Sequence, residues 1–486
     1  MAGVVAAPGG ARDERARARR VWRTTTPGRL RLQSVLVAVA TAVFMVLGCG
    51  ALVTIHLTVS KQQQETVTAI VGVQRVHAWL AAADRSAANS YLSGGVEVTL
   101  PQQQYEADIA AASSDLEQAA ERNPGGQPAT ERLSSINQLL SEYTRLVDTA
   151  MVQHRLANPD GITSLHAASD LMHHPQTGIL AQVEALGDLD SAVLARTNLE
   201  LEVSAAALAL FAAAALILVG LLVWTQRFVR RRFRRRRNPR LLAATLAVLV
   251  VLAGTGVGAV AAGQSIQQSQ AQYGRLLKLW QARSIAYDAN GDASLFLIAG
   301  PAEGTPFDQA FQASANQLAD RDLTDDIVQD ARAGIVRFHG MLADEVRDAG
   351  SPGERSAALD VLIAYRQFLN VDAEMRSAAL AGHQTDAMNL TLGTYGGALG
   401  LAFKSMNWGP RLGAQRDWSE GELGFAFELF DWDLAQLTQM LQRQFDASLG
   451  DAEQVLEAAI GLQALSLAVV ALTFAGVRPR IAEYAT

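Results

Sequence analysis

Arg227-Phe-Val-Arg-Arg-Arg-Phe-Arg-Arg-Arg-Arg-Asn-Pro-Arg240 lies near the middle of the chain, and its reading decides the fold. It holds nine arginines (Arg227, Arg230, Arg231, Arg232, Arg234, Arg235, Arg236, Arg237 and Arg240) and no acid. One long uncharged, apolar run ends just before it, and another starts just after it. Arginines bracketed in this way mark the inner side of a membrane, because cytoplasmic loops collect Lys and Arg.

Working outward, the same sign recurs at both ends. Residues 1–33 carry eight arginines against Asp13 and Glu14, and the tail carries Arg478 and Arg480 against Glu483. These three segments hold 19 of the 41 basic residues and three of the 48 acids. The two long polar segments are therefore left with 22 basic against 45 acidic residues. Charge sorted this strongly belongs to a membrane boundary, and nucleic acid is not an expected partner.

Four windows lack Asp, Glu, Lys and Arg altogether: Ser34–Ser60, Ser204–Gln226, Leu241–Gly274 and Ala458–Val477. Each offers about 20 mostly apolar residues, enough to cross a hydrocarbon core of roughly 30 Å. Ala, Gly, Ser and Thr are plentiful in all four, which suits close helix contact in lipid. The expected order is a cytoplasmic basic tail (1–33) and spans at 34–60, 204–226, 241–263 and 458–477. Residues 61–203 and 264–457 lie outside, and the Arg-rich loop (227–240) and the tail (478–486) lie inside. This places a multi-pass protein in the plasma membrane with both termini cytoplasmic.

The one cysteine, Cys49, sits in Val46-Leu-Gly-Cys49, a lipoprotein-like box. The chain stays apolar through Val59, so the residue reads as part of a membrane helix. A single cysteine leaves the outer segments without internal disulfides.

Both outer segments read as helical, with no run of alternating β-branched residues. The fold class is all-α: four transmembrane helices with two extracytoplasmic antiparallel helical bundles as a tandem repeat. In the first segment, helices are expected over Lys61–Leu92, Gln102–Arg122, Thr130–Leu156 and 162–172, and from Ile179 into the second span. Asn123-Pro-Gly-Gly-Gln-Pro128 and Asn158-Pro-Asp-Gly161 punctuate them. The second segment repeats the plan. Ala88–Gly95 matches Ala293–Gly300 at an offset of 205, and Tyr105–Leu116 matches Phe307–Leu318 at 202. The extra length of the second segment falls between Leu392 and Glu422, where glycines and aromatics alternate.

No nucleotide loop, nucleophile elbow or zincin helix is present, so no enzyme activity and no cofactor are expected. His154, His166, His173 and His174 are grouped too loosely to demand a metal, and His173-His174 fall in a loop before Pro175. Asp320, Asp322, Asp325, Asp326 and Asp330 read as a solvated acidic face or helix start. The spans hold no acid or strong base, and His56 lies near the outer edge, which weighs against a transporter. The nine arginines would anchor topology and touch anionic lipid headgroups, or dock an acidic protein surface. Trp408 and Trp418, in an aromatic stretch with Phe403, Phe425, Phe427, Phe430 and Trp432, are candidate partner contacts, with core packing as the alternative. Tyr91 and Phe296, at matching places 205 apart, are a further pair to watch.

The layout of span, long helix, two helices, long helix and span resembles the four-helix-bundle sensor domains of chemoreceptors and sensor kinases. Two such units in tandem, with Arg-rich joints, resemble the actinobacterial GlnX-type transducer. The Ala- and Arg-rich composition and the Trp22-Arg-Thr-Thr-Thr-Pro-Gly-Arg-Leu-Arg31 lead agree with that source. The resemblance implies a link from an extracytoplasmic amino-acid-binding lipoprotein to a cytoplasmic serine/threonine kinase. The functional expectation is a membrane signal transducer, with a scaffold or accessory subunit of an envelope complex as the alternative. The layout also admits a homodimer.

Overall fold

The computed structural model describes residues 26–61, 68–93, 100–233, 239–392 and 422–482. Fourteen helices occupy them. α1 (Thr26–Lys61), α2 (Thr68–Leu92), α3 (Leu100–Arg122), α4 (Gln127–Arg155), α5 (Asp160–His173) and α6 (Ile179–Phe233) form the first half. α7 (Pro239–Glu303), α8 (Thr305–Leu318), α9 (Asp325–Arg332), α10 (Met341–Asp348), α11 (Pro352–Leu380), α12 (Gln384–Leu392), α13 (Glu422–Leu462) and α14 (Leu465–Ala482) form the second. Among the described residues there is no strand.

The chain divides into two compact units. One gathers the apolar helix segments (up to 62, 195–268 and from 448), and the other gathers both polar segments (63–194 and 269–447). Helices α6, α7 and α13 contribute residues to both.

In the first unit, four helical stretches are long and apolar enough to cross a membrane, which fits a multi-pass membrane protein. Val37, Phe44, Phe211, Ala215, Leu218, Val248, Val251 and Val469 form its centre. Val46, Leu216 and Val257 lie outward at about 70% exposure, as side chains facing lipid would. Cys49 is part of α1.

The fourth span is not one unbroken helix, contrary to its reading as a single window. α13 ends at Leu462, and Gln463 and Ala464 form a turn before α14. The amides of Gln463 and Ala464 bond three residues back, to Ile460 and Gly461. The Gln463 amide donates to Thr255 Oγ1 of the third span at 3.0 Å. Gly48 of the first span lies against Gln463 and Phe211, where a Cβ would stand 2.6 Å from either. A side chain at position 48 would have to displace the Gln463 amide or the Phe211 ring, because four spans meet at this point.

In the polar unit, the first half follows the sequence reading closely. α4 starts with Pro128 in its first turn and buries Leu133, Ile136, Leu140, Tyr143, Val147 and Met151 on one face. Residues 62–67 and 94–99, which bear on the link from the first span and on the Gly94-Gly95 stop, lie outside the described residues.

The second half differs at one place the sequence reading missed. Between α8 and α11 the chain inserts α9, α10 and irregular stretches over residues 319–351, whereas the first half turns within 123–126. The insert therefore adds to the extra length assigned to 392–422. Thr324 caps α9 by accepting from the Ile327 amide, and Asp325 and Asp326 occupy its first turn. Asp320 accepts from the His339 amide, Asp330 pairs with Arg337, and Asp325 pairs with Arg366. Asp325 and Asp326 are thus the helix start that the sequence admits, and Asp320 and Asp330 pair within the insert.

Each half has its own core. The first contains Val76, Leu80, Tyr143 and Leu165, and it also takes in Leu295 of α7. The second contains Phe311, Tyr365, Phe368, Phe427 and Phe430, and it takes in Ala81 and Ala82 of α2. Phe427 and Phe430 are fully buried, which assigns that part of the aromatic stretch to the core rather than to a partner surface. Phe403, Trp408 and Trp418 lie outside the described residues.

Candidate functional site

The centre of the polar unit is a pair of helices, α2 and α7. His77 meets Ser284, Arg85 lies against Gly291, and Asn89 Oδ1 accepts from Ser294 Oγ at 2.6 Å. Partners advance together along both helices, so the two run in the same direction. The positions that meet are 205–207 residues apart, close to the 205 and 202 offsets of the sequence matches. Small residues make this approach feasible: Ala81, Ala82, Ala83, Ser86, Ala87, Ala88, Ala289, Gly291, Ala293 and Ser294 are all buried. Every residue from Ala81 to Tyr91 is buried, so this part of α2 has no solvent face.

Charged groups line this seam. Asp84 accepts from Tyr143 Oη (3.0 Å) and Ser169 Oγ (3.2 Å), and its Oδ2 meets His173 Nε2 at 3.1 Å. Arg85 donates to Glu428 of the other half and to Gln104, each at 3.3 Å, and its guanidinium lies over the rings of Phe427 and Tyr287. Arg283 forks onto Asp431 at 2.6 and 2.8 Å, beneath Trp79 and Trp280. Such planar, two-pronged pairs suit Arg and not Lys.

The titrations at the seam diverge. Burial lowers His77 to about 4, and the neighbouring His173 charge adds to this. Burial also opposes the charge on His173, but the Asp84 hydrogen bond and the charges of Asp288, Asp84 and Asp292 outweigh it and raise the ring to about 9. The His173 side chain is 37% exposed, so solvent screens this pair in part. Asp288 and Asp292 lie well past the apolar part of α7, and burial raises them to about 6 and about 7, against the pull of His173. Asp108, bonded to Ser86, is likewise raised to about 7 by burial.

At the end of the seam an open cleft of about 480 Å³ has walls from both halves, among them Tyr91, His154, Asn158, Leu297, Ile298 and Met388. The Tyr91 and His154 rings lie 4.1 Å apart. Position 296 matches Tyr91, but Phe296 is covered: the Arg376 guanidinium stands 4.8 Å from its ring centroid. Arg376 is itself held by Asp372 (2.8 Å) and Asp308 (2.7 Å).

The other predicted sites are dispersed. Arg227, Arg230 and Arg231 are exposed at the end of α6, and Arg240 donates to the Ala475 carbonyl at 2.8 Å. Arg232 belongs to α6, and Arg234, Arg235, Arg236 and Arg237 lie outside the described residues. Gln226 ties the two flanking helices together by donating to Leu241 O and Thr245 Oγ1. The histidines do not converge. His154 joins the cleft, His166 lies tilted against Phe307, and His173 is the last residue of α5 with its ring on Asp84, not a loop residue. Among the described residues, no group of three His, Cys, Asp or Glu is placed to hold a metal.

Sequence reasoning missed Asp84 and Arg85. The available signal was Ala81-Ala-Ala-Asp-Arg-Ser-Ala-Ala-Asn89, two charges inside a helix with no polar face.

Residues 58–198 match the family model described as the actinobacterial sensor domain. The first polar segment is thus similar to an actinobacterial sensor domain. The match supports an actinobacterial sensor protein, and with four helices long and apolar enough to cross a membrane it fits a membrane sensor. No curated protein and no solved structure gives a match.

Proposed function

We propose that this protein is a signal transducer without enzyme activity, relaying an extracytoplasmic event to a separate cytoplasmic effector. The observation that carries the reading is that α6, α7 and α13 each belong to both units. A change in packing at the polar seam has a covalent, helical path into the spans. Such a relay needs only a difference in ligand affinity between two packings. Buried charge pairs between close helices favour discrete alternatives over continuous drift.

In this reading the two halves are tandem copies that work as an internal pair, α2 beside α7. The polar unit lies outside and the termini inside, the orientation that the arginine sorting favours. Arg227, Arg230, Arg231 and Arg240, with the arginines between them, touch anionic headgroups and present the output surface. The resemblance to the GlnX-type transducer extends the reading to a binding lipoprotein outside and a serine/threonine kinase inside.

Cross-linked pull-down of the full chain from native membranes tests it. Recovery of a solute-binding lipoprotein together with a kinase is the expected result. Recovery of cell-wall or secretion components instead would make the protein a scaffold.

A further inference from the structure

We infer that the cleft beside Tyr91 binds one uncharged, aromatic-sized small molecule per chain, with an apolar body and one hydrogen-bonding end. Its role as the sensed signal rests on the transducer reading; its occupancy does not.

Three observations lead there. First, the cleft measures about 480 Å³, within the roughly 300–1,000 Å³ of small-molecule sites, and it lies where two packed halves meet. Second, among the described residues its lining has no Asp, Glu, Lys or Arg. An α-amino group, a carboxylate or a phosphate would lose hydration there without gaining a counter-charge. What the walls offer instead is Leu297, Ile298 and the Met388 thioether for an apolar or aromatic body. Tyr91, His154 and Asn158 are the polar walls, and their hydroxyl, imidazole and amide are the groups able to hydrogen-bond a ligand. Asn158 Oδ1 already accepts from the Asp160 amide, which holds that side chain in place. Third, the matching place in the second half is filled, because Arg376 covers Phe296 and is locked by two aspartates. Among the described residues, the cleft beside Tyr91 therefore has no open counterpart at Phe296. This chemistry does not suit a free amino acid, whose recognition would fall to a separate binding protein.

The test uses the full chain in lipid nanodiscs, with indole and p-cresol as neutral probes and L-glutamate and inorganic phosphate as charged ones. Saturation-transfer NMR and calorimetry are read against empty nanodiscs. Saturable binding of a neutral probe at one site per chain is expected, with at least a tenfold loss in Met388→Trp and in Ile162→Trp, Ile162 being a further wall of the cleft. Tyr91→Phe keeps the cavity and is expected to weaken binding several-fold, so the inference stays testable if a filled variant misfolds. Saturable binding of the charged probes alone, no saturable binding of either neutral probe, or binding unchanged in the cleft variants would overturn it. Trypsin accessibility of the Arg-rich loop is followed in parallel. Neutral-probe binding that leaves this accessibility unchanged keeps the site and removes the transducer reading.

Discussion

Tyr91 and Phe296 stand 205 residues apart, at matching places on two parallel helices, yet their surroundings differ. Tyr91 is 6% exposed and borders an open cleft, while Phe296 is 4% exposed and lies beneath Arg376. The difference follows from what the neighbouring helices supply. In the second half, α11 places Asp372 and Arg376 one turn apart, and Arg376 reaches both Asp372 and Asp308. In the first half, α4 brings His154 to the matching ring, with no guanidinium to close the space. Two similar frames thus yield one filled centre and one open cleft.

Removing the cap should have the largest effect. Arg376→Ala leaves Asp372, 1% exposed at its side chain, without its cation. Breaking a buried pair in this way costs about 3–5 kcal/mol, a fall in Tm of roughly 10 °C. Tyr91→Phe, which removes only a hydroxyl at the cleft, should cost less than about 1 kcal/mol. Comparable melting losses for the two variants would erase the contrast between the halves.

A smaller effect is expected at the seam they share. Ser294→Ala removes the donor to Asn89, buried on both sides, and about 1–3 kcal/mol is at stake. A fall of several degrees is expected by thermal unfolding. A melt within a degree of the parent would mean that α2 and α7 are not coupled through this bond.

The smallest effect is pH-dependent and belongs to the first half. His173, facing Asp84 of α2 and Asp288 and Asp292 of α7, has its ring raised from 6.5 to about 9. The folded form therefore holds the proton more tightly than the unfolded one. Its stabilising contribution is complete below about 6.5 and fades as pH rises through about 9. Between pH 7 and 9.5 Tm should drop by one or two degrees in the parent and stay flatter in His173→Gln. A slope that survives the substitution would place the titrating group elsewhere.

Much of the architecture was legible because it depends on local pattern. The breaks at Asn123–Pro128 and Asn158–Gly161 separate α3, α4 and α5 within a few residues of where punctuation and periodicity placed them. The short α9 and α10 were not, because eight residues are too few for a long apolar stripe: α9 depends on the Thr324 cap, and α10 on burying Leu342, Ala343 and Val346 and on the Glu345–Arg275 pair. Of the site, Tyr91 and Phe296 were visible as a matched pair, but not the cleft beside only one of them. Asp84 and Arg85 looked like ordinary helix charges, since one strand of sequence does not reveal a second helix covering the opposite face.

By itself the sequence determined the four apolar stretches, the sorted arginines and the helical content, because transfer of charge into lipid and helical periodicity act residue by residue. Only the tertiary structure decided that the two polar segments share one unit. It alone set α2 beside α7 in one direction, and filled one of two matched centres while leaving the other open. Those outcomes depend on close packing between residues two hundred positions apart, where the volume and charge of each side chain count only once its neighbour is known.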